Sequence, residues 1–113
     1  MNFEELNQFR TDVRALSNKY RTLKEDLAIL KKILAIFPDE RPPFSISLSP
    51  RTALVKTIKV SQIACKSLRG LGSHSGLQLI YAWSEGEKKI VLVGLYGGSR
   101  QEHKTEQRIL QRL

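Results

Sequence analysis

The sequence contains a single cysteine, Cys65, in 113 residues, which excludes an intrachain disulfide framework. With only two histidines beside it, His74 and His103, there is no credible structural zinc set. No apolar run approaches the roughly 20 residues that a bilayer span requires. The start of the chain, Met1 to Glu5, is acidic and amphipathic, unlike a secretory signal. These absences predict a reduced, cytoplasmic protein with no metal, no cofactor and no membrane partner. Standard catalytic signatures are missing as well: no P-loop, no dinucleotide-binding glycine fingerprint, no nucleophile elbow and no H-E-x-x-H. Ser, His and Asp occur at no spacing that signals a triad. Gly70-x-Gly72 and Gly97-Gly98 are too short to cradle a phosphate and read as turn glycines.

Negative charge is the scarcest feature along one part of the chain. Nineteen Lys and Arg stand against eleven Asp and Glu, a net charge of +8. Residues 1–40 carry seven of each sign, and residues 85–113 carry six basic and four acidic side chains. Between Arg41 and Ser84 there are six bases (Arg41, Arg51, Lys56, Lys59, Lys66 and Arg69) and no acid. Such a stretch suggests a polyanionic partner, either nucleic acid or an acidic protein. The plain alternative is a solvated basic surface. Composition otherwise fits one globular domain, with 41% hydrophobic and 27% charged residues.

Periodicity supplies the elements. Leu6, Phe9, Val13, Leu16 and Tyr20 recur at alternating steps of three and four, an apolar helical stripe. A second stripe runs through Leu23, Leu27, Leu30, Leu34 and Phe37 until Pro38 ends it. Thr22 and Glu25 match a capping box, so residues 1–37 are predicted as a helical hairpin. Residues 38–52, which hold all four prolines, read as a loop or extended arm. From Ala53 to residue 98 the pattern is strand-like: ALVKTIKV, QIACKSL, GLQLIYAW and KKIVLVGLYG. Leu77, Leu79, Tyr81 and Trp83 fall on one face, with Gln78, Ile80 and Ala82 on the other. Glu85-Gly86-Glu87 signals a hairpin, and 69–76 a small-residue connection. Residues 99–113 are predicted as a tail ending in a short helix whose Ile109, Leu110 and Leu113 reach the core. The order of elements predicts an α+β domain, a helical hairpin packed on a mainly antiparallel sheet.

Candidate chemistry concentrates on the basic unit 56–83. A strand through Ala64–Leu68 would place Lys66 opposite Ile63 and Cys65, with Arg69 at its end. Lys59, Lys66 and Arg69 would then cluster beside His74 on the rim of the sheet, with Lys56 nearby. Cations there could bind phosphates and stabilise charge during phosphodiester cleavage by an RNA chain's own 2′-OH. His74 and His103 are the side chains that titrate near neutrality, and each could act as general acid or base. The alternative for His74 is a solvated loop residue. Tyr81 and Trp83 read as core, and Tyr96, beside Gly97, as the better candidate for stacking on a base or donating a proton.

The runs ACKSLRGLGSHSGLQLIYAW (64–83) and KKIVLVGLYGGSRQEHKTEQRI (88–109) resemble the RelE/ParE superfamily of bacterial toxin–antitoxin toxins. The segment FEELNQFRTDVRALSNKYRTLKEDLAILKKIL (3–34) is similar to the helical hairpin of a RelE-like subgroup, so the resemblance covers most of the chain and is least at 38–52. It implies a helical hairpin against a curved antiparallel sheet. It further implies a ribosome-dependent, metal-independent mRNA endoribonuclease that arrests translation and is neutralised by an acidic antitoxin. Lys66 and Arg69 fit the family's phosphate-holding residues; in the toxin reading Lys59 would hold phosphate with them and Arg100 would stabilise the transition state. His103 or Tyr96 would move the proton, and Lys56, Gln78 and His74 would contact RNA. Gln78 stands where the family often has Arg, and can hydrogen-bond a phosphate without neutralising it. The chain is expected to begin directly at the first helix, lacking the family's first strand. A gyrase-binding activity, as in ParE, or a catalytically degenerate binding protein are the alternatives.

Overall fold

In the computed structural model, residues 1–67, 76–97 and 102–113 are described, with the side chains of 102 and 103 left aside. The alternation of Leu77, Leu79, Tyr81 and Trp83 with Ile80 and Ala82 organises the molecule, because the two sets enter two separate apolar clusters. The strand bearing them, β4 (Leu77–Ser84), pairs antiparallel with β5 (Lys89–Gly97) through a turn over Glu85-Gly86-Glu87-Lys88, where Lys88 takes the left-handed conformation. β3 (Val55–Val60) pairs antiparallel with the other edge of β4, and β2 (Ser45–Ser47) with β3. β2 lies inside the Pro-rich arm, in its extended part.

One expectation is overturned at the start of the chain. Residues Asn2–Glu5 form β1, parallel to β5, giving the sheet order β1-β5-β4-β3-β2. The Asn2 N–H donates to the Lys88 carbonyl and the Leu6 N–H to that of Leu92, so the strand is fixed from both ends. Four residues are too few for alternation to stand out in sequence.

The hairpin is α1 (Asn7–Ser17) and α2 (Leu23–Ile36). Phe9, Tyr20, Leu23, Leu27, Leu30 and Leu34 are buried against one face of the sheet with Ile58, Val60, Leu79 and Tyr81. Tyr20 keeps its place in the apolar stripe although α1 has ended three residues earlier. The Tyr81 hydroxyl donates to the Pro38 carbonyl at 2.6 Å, tying the end of α2 to the sheet. Burial pushes the Tyr81 phenol upward, with the Asp39 carboxylate adding to it, so it remains a donor across the physiological range.

The predicted capping box does not form. Thr22 makes no side-chain cap; its hydroxyl donates to Asp26 Oδ2 at 2.8 Å and accepts the Ser67 N–H at 2.9 Å. Asp26, buried, also takes the Lys66 N–H, while Glu25 points to solvent. These bonds explain a second correction: residues 61–67 form no strand. Ile63 and Cys65 are buried as a strand would bury them, but the N–H groups of Lys66 and Ser67 are spent on α2 side chains rather than on a neighbouring strand.

The other face of the sheet carries α3 (Glu102–Leu110). Ile109 is buried with Ile80, Ala82, Val93 and Tyr96, and Leu110 packs beside them, whereas Leu113 is exposed. A register shift at Ile80/Tyr81 turns both Val93 and Gly94 of β5 toward α3. A Cβ on Gly94 would stand 2.5 Å from the Ile109 side chain, so glycine is what lets the helix sit this close. Beyond the helix, Arg112 reaches back to Asp12 of α1 at 2.7 Å and to the Val93 carbonyl at 3.1 Å.

Candidate nucleic-acid interface

Register decides which predicted site residues can meet. Lys59 lies opposite Ile80 on the face that α3 covers, whereas Lys56 lies opposite Trp83, on the face that the helical hairpin covers. The two lysines therefore stand on opposite sides of the sheet. Lys56 is paired with Asp39 at 2.8 Å. Their contact holds the Asp39 carboxyl below its ordinary range and raises the Lys56 ammonium. Lys66 is exposed at the N-terminal end of α2, 4.0 Å from Glu25, and does not join Lys59. The expected cluster of Lys59 with Lys66 is not formed. Arg69, His74, Arg100 and the His103 side chain lie outside the described residues.

The structure does bring Lys59, Gln78, Tyr96 and Glu106 to one face. Gln78 lies opposite Tyr96 in the β4–β5 ladder, and Lys59 opposite Ile80, two residues further along. Tyr96 is buried, and its hydroxyl donates to Gln78 Oε1 at 3.2 Å, so its ring is packing rather than an exposed platform for a base. With its oxygen engaged, Gln78 has its amide N–H₂ left, among the described residues, to offer an anion. Lys59 Nζ lies 3.6 Å from Glu106 Oε1 on α3. Leu77 and Gly97, where β4 begins and β5 ends, are paired at the same end of the sheet.

The carboxylate-free stretch is thus less naked than its sequence. Four of its six cations meet an acid or an aromatic ring from outside it: Asp39 at Lys56, Glu106 at Lys59, Glu25 near Lys66, and the Phe37 ring 3.9 Å under Arg41.

A second basic feature was not singled out from sequence. A groove of about 480 Å³ runs between α1 and α2, floored by Phe9, Val13, Leu27 and Ala28. Arg10, Arg14, Lys24 and Lys31 line its rim with Glu5. Glu5 binds Lys31 at 2.9 Å and Arg10 at 3.4 Å, and the Lys31 contact above all holds its carboxyl below the usual range. Arg14 and Lys24 have no carboxylate partner among the described residues. The signal lay in the spacing: Arg10 and Arg14 at i, i+4 beside one apolar stripe, Lys24 and Lys31 at i, i+7 beside the other, with the small Ala28 between them.

No family model matches the sequence, and no curated protein matches it. Among solved structures, a chain of the archaeal RelE–RelB complex from Pyrococcus horikoshii OT3 is similar, with a TM-score of 0.62 and 16% identity, covering 88% of this chain and 96% of that one. Conserved hypothetical protein HP0892 from Helicobacter pylori gives a TM-score of 0.49 and 21% identity, covering 91% and 98% of the two chains. With three helices and an open five-stranded sheet in this order among the described residues, the chain has a RelE-like fold.

Proposed function

We propose that this chain is the toxin of a toxin–antitoxin pair, cleaving mRNA on the ribosome without a metal. The observation that carries the reading is the fold shared with a RelE–RelB complex over 88% of the chain. The net charge of +8 suits a protein that works against RNA.

In this reading the working surface is the sheet face that carries Lys59 and Gln78. Base-promoted cleavage removes the proton of a 2′-hydroxyl, forms a bond from that oxygen to the adjacent phosphorus and breaks the P–O5′ bond. The departing 5′-oxygen takes up a proton. Negative charge builds on the non-bridging oxygens, where a lysine ammonium and amide N–H groups stabilise it. Lys59 supplies the charge, and Gln78, oriented by Tyr96, supplies N–H donors. Lys66, beside Glu25 of α2, takes no part at this face; in this reading the remaining roles stay with Arg69, Arg100, His74 and His103.

The partner in this reading is an acidic antitoxin with an amphipathic segment. The groove between α1 and α2 fits such a segment, because its floor is apolar and its rim carries four cations against one carboxylate.

Expression of the chain alone tests the proposal. Growth and amino-acid incorporation should stop within minutes, with no induction of the DNA-damage response. A DNA-damage response with continued protein synthesis would favour a gyrase target. Normal growth, with no antitoxin present, would favour a non-cleaving binding protein.

A further inference from the structure

Lys59, the cation placed on the proposed working face, is already occupied. Its ammonium stands 3.6 Å from the Glu106 carboxylate, with both side chains largely covered, at 20% and 15% exposure. The distance is that of an ion pair and lies beyond a hydrogen bond, so the carboxylate rests against the lysine without a directed contact. A carboxylate and a phosphodiester are both singly charged oxyanions, and one lysine can neutralise only one of them at a time.

The helix that brings Glu106 there is held unevenly. At its C-terminal end Ile109 is buried beside Gly94, and Arg112, just beyond the helix, binds Asp12 and the Val93 carbonyl. Toward its N-terminal end the sequence is EHKTEQR, seven polar residues before the first apolar one. Apolar burial therefore fixes the C-terminal end, and Glu106, ahead of Ile109, meets the sheet through its contact with Lys59. Unlike the hydrogen-bonded Arg112–Asp12 pair, this one is held at 3.6 Å without a directed bond, so a phosphate that can accept one from the ammonium competes for it.

From this arrangement we infer that α3 is a built-in competitor for the working face: Glu106 occupies on Lys59 the position of an RNA phosphate, and RNA binds there only as Glu106 lets go. The inference rests on the proposal that this face binds RNA. It makes the resting chain weaker for free RNA than its net charge suggests, and reserves Lys59 for a ligand that displaces the helix.

The test is binding of a short single-stranded RNA, read by fluorescence anisotropy across a salt series. Four proteins are compared: the unaltered chain, Glu106→Gln, Glu106→Gln/Lys59→Ala, and Glu87→Gln. The last removes one negative charge in the β4–β5 turn, away from the site. Circular dichroism confirms that each is folded. Glu106→Gln should bind about fivefold tighter or more, and its log K against log salt should steepen by about 0.7, the increment for one more phosphate neutralised on a single strand. Glu87→Gln should leave the salt slope where it was, and the added Lys59→Ala should abolish the gain. A Glu106→Gln protein with unchanged affinity and slope overturns the inference. So does a gain that survives Lys59→Ala, which would be a general charge effect. If the unaltered chain binds RNA and Glu106→Gln adds nothing, the occlusion fails while the reading of the protein as RNA-binding stands. If no variant binds RNA and expression leaves growth normal, both fail.

Discussion

Replacing Asp12 with alanine lowers the free energy of unfolding by about 2–3 kcal/mol, a loss expected for one partner of a largely covered ion pair that also accepts a backbone N–H. Asp12 joins three elements. From α1 it accepts the Leu95 N–H of β5 at 3.2 Å and both terminal nitrogens of Arg112, at 2.7 and 3.4 Å. The Asp12 and Arg112 side chains are only 19% and 21% exposed, so water replaces these bonds poorly. Alanine leaves the guanidinium without its counter-charge, with the Val93 carbonyl as its remaining partner among the described residues, and the Leu95 N–H without the Asp12 carboxylate. Arg112→Ala has a smaller effect, because Asp12 keeps the Leu95 N–H. Urea denaturation of both variants checks the ranking, and equal losses would show that the Leu95 bond contributes nothing. A domain's total stability is about 5–15 kcal/mol, so Asp12→Ala also lowers the melting temperature measurably.

The second large effect concerns the groove between the helices. Arg14→Glu with Lys24→Glu places two like charges where an acidic segment is proposed to lie. Affinity for the antitoxin, sought as the acidic product of the neighbouring reading frame, should fall about 100-fold, since each like-charge juxtaposition at an interface costs several kcal/mol before relaxation. Arg51→Glu with Lys88→Glu makes the same change in net charge at exposed positions outside the groove and should weaken binding far less. For the unaltered pair, affinity should decline with added salt. Equal losses in the two double variants would mean that only total charge matters and that the groove is not the seat.

The parts of this molecule that could be read from sequence are those with long, clean periods. The apolar stripe of α2 and the alternation of β4 each run for eight or more residues; Leu23, Leu27, Leu30 and Leu34 and the apolar residues of β4 enter the core as expected, whereas Phe37, just past the end of α2, stays exposed. Shorter or mixed signals misled. β1 has four residues, of which Phe3 alone packs against the core. In 61–67, Ile63 and Cys65 imitate strand alternation, yet Asp26 and Thr22 compete for the backbone donors and win. That competition depends on residues some forty positions away and leaves no local trace.

The site was legible only in part for the same reason. Lys59 and Gln78 could be placed on strands, but which face each occupied depended on pairing register. Lys56 and Lys59, three residues apart, point to opposite faces, which any straight strand dictates. The acid-free stretch suggested an open cationic surface because charge was counted along the chain. In space Asp39 and Glu106 come to meet it from either side. Tyr96 looked available because it precedes a glycine pair, although the shift in register between β4 and β5 turns it into the second apolar cluster.

The most direct test of the account is to incubate the purified chain with translating ribosomes and map the 5′ ends of the mRNA. New 5′-hydroxyl ends should appear that depend on ribosomes and are strongly reduced by Lys59→Ala. Intact mRNA under those conditions would contradict the proposed activity, and equal cutting by Lys59→Ala would remove the chemistry from the sheet face on which Lys59 lies.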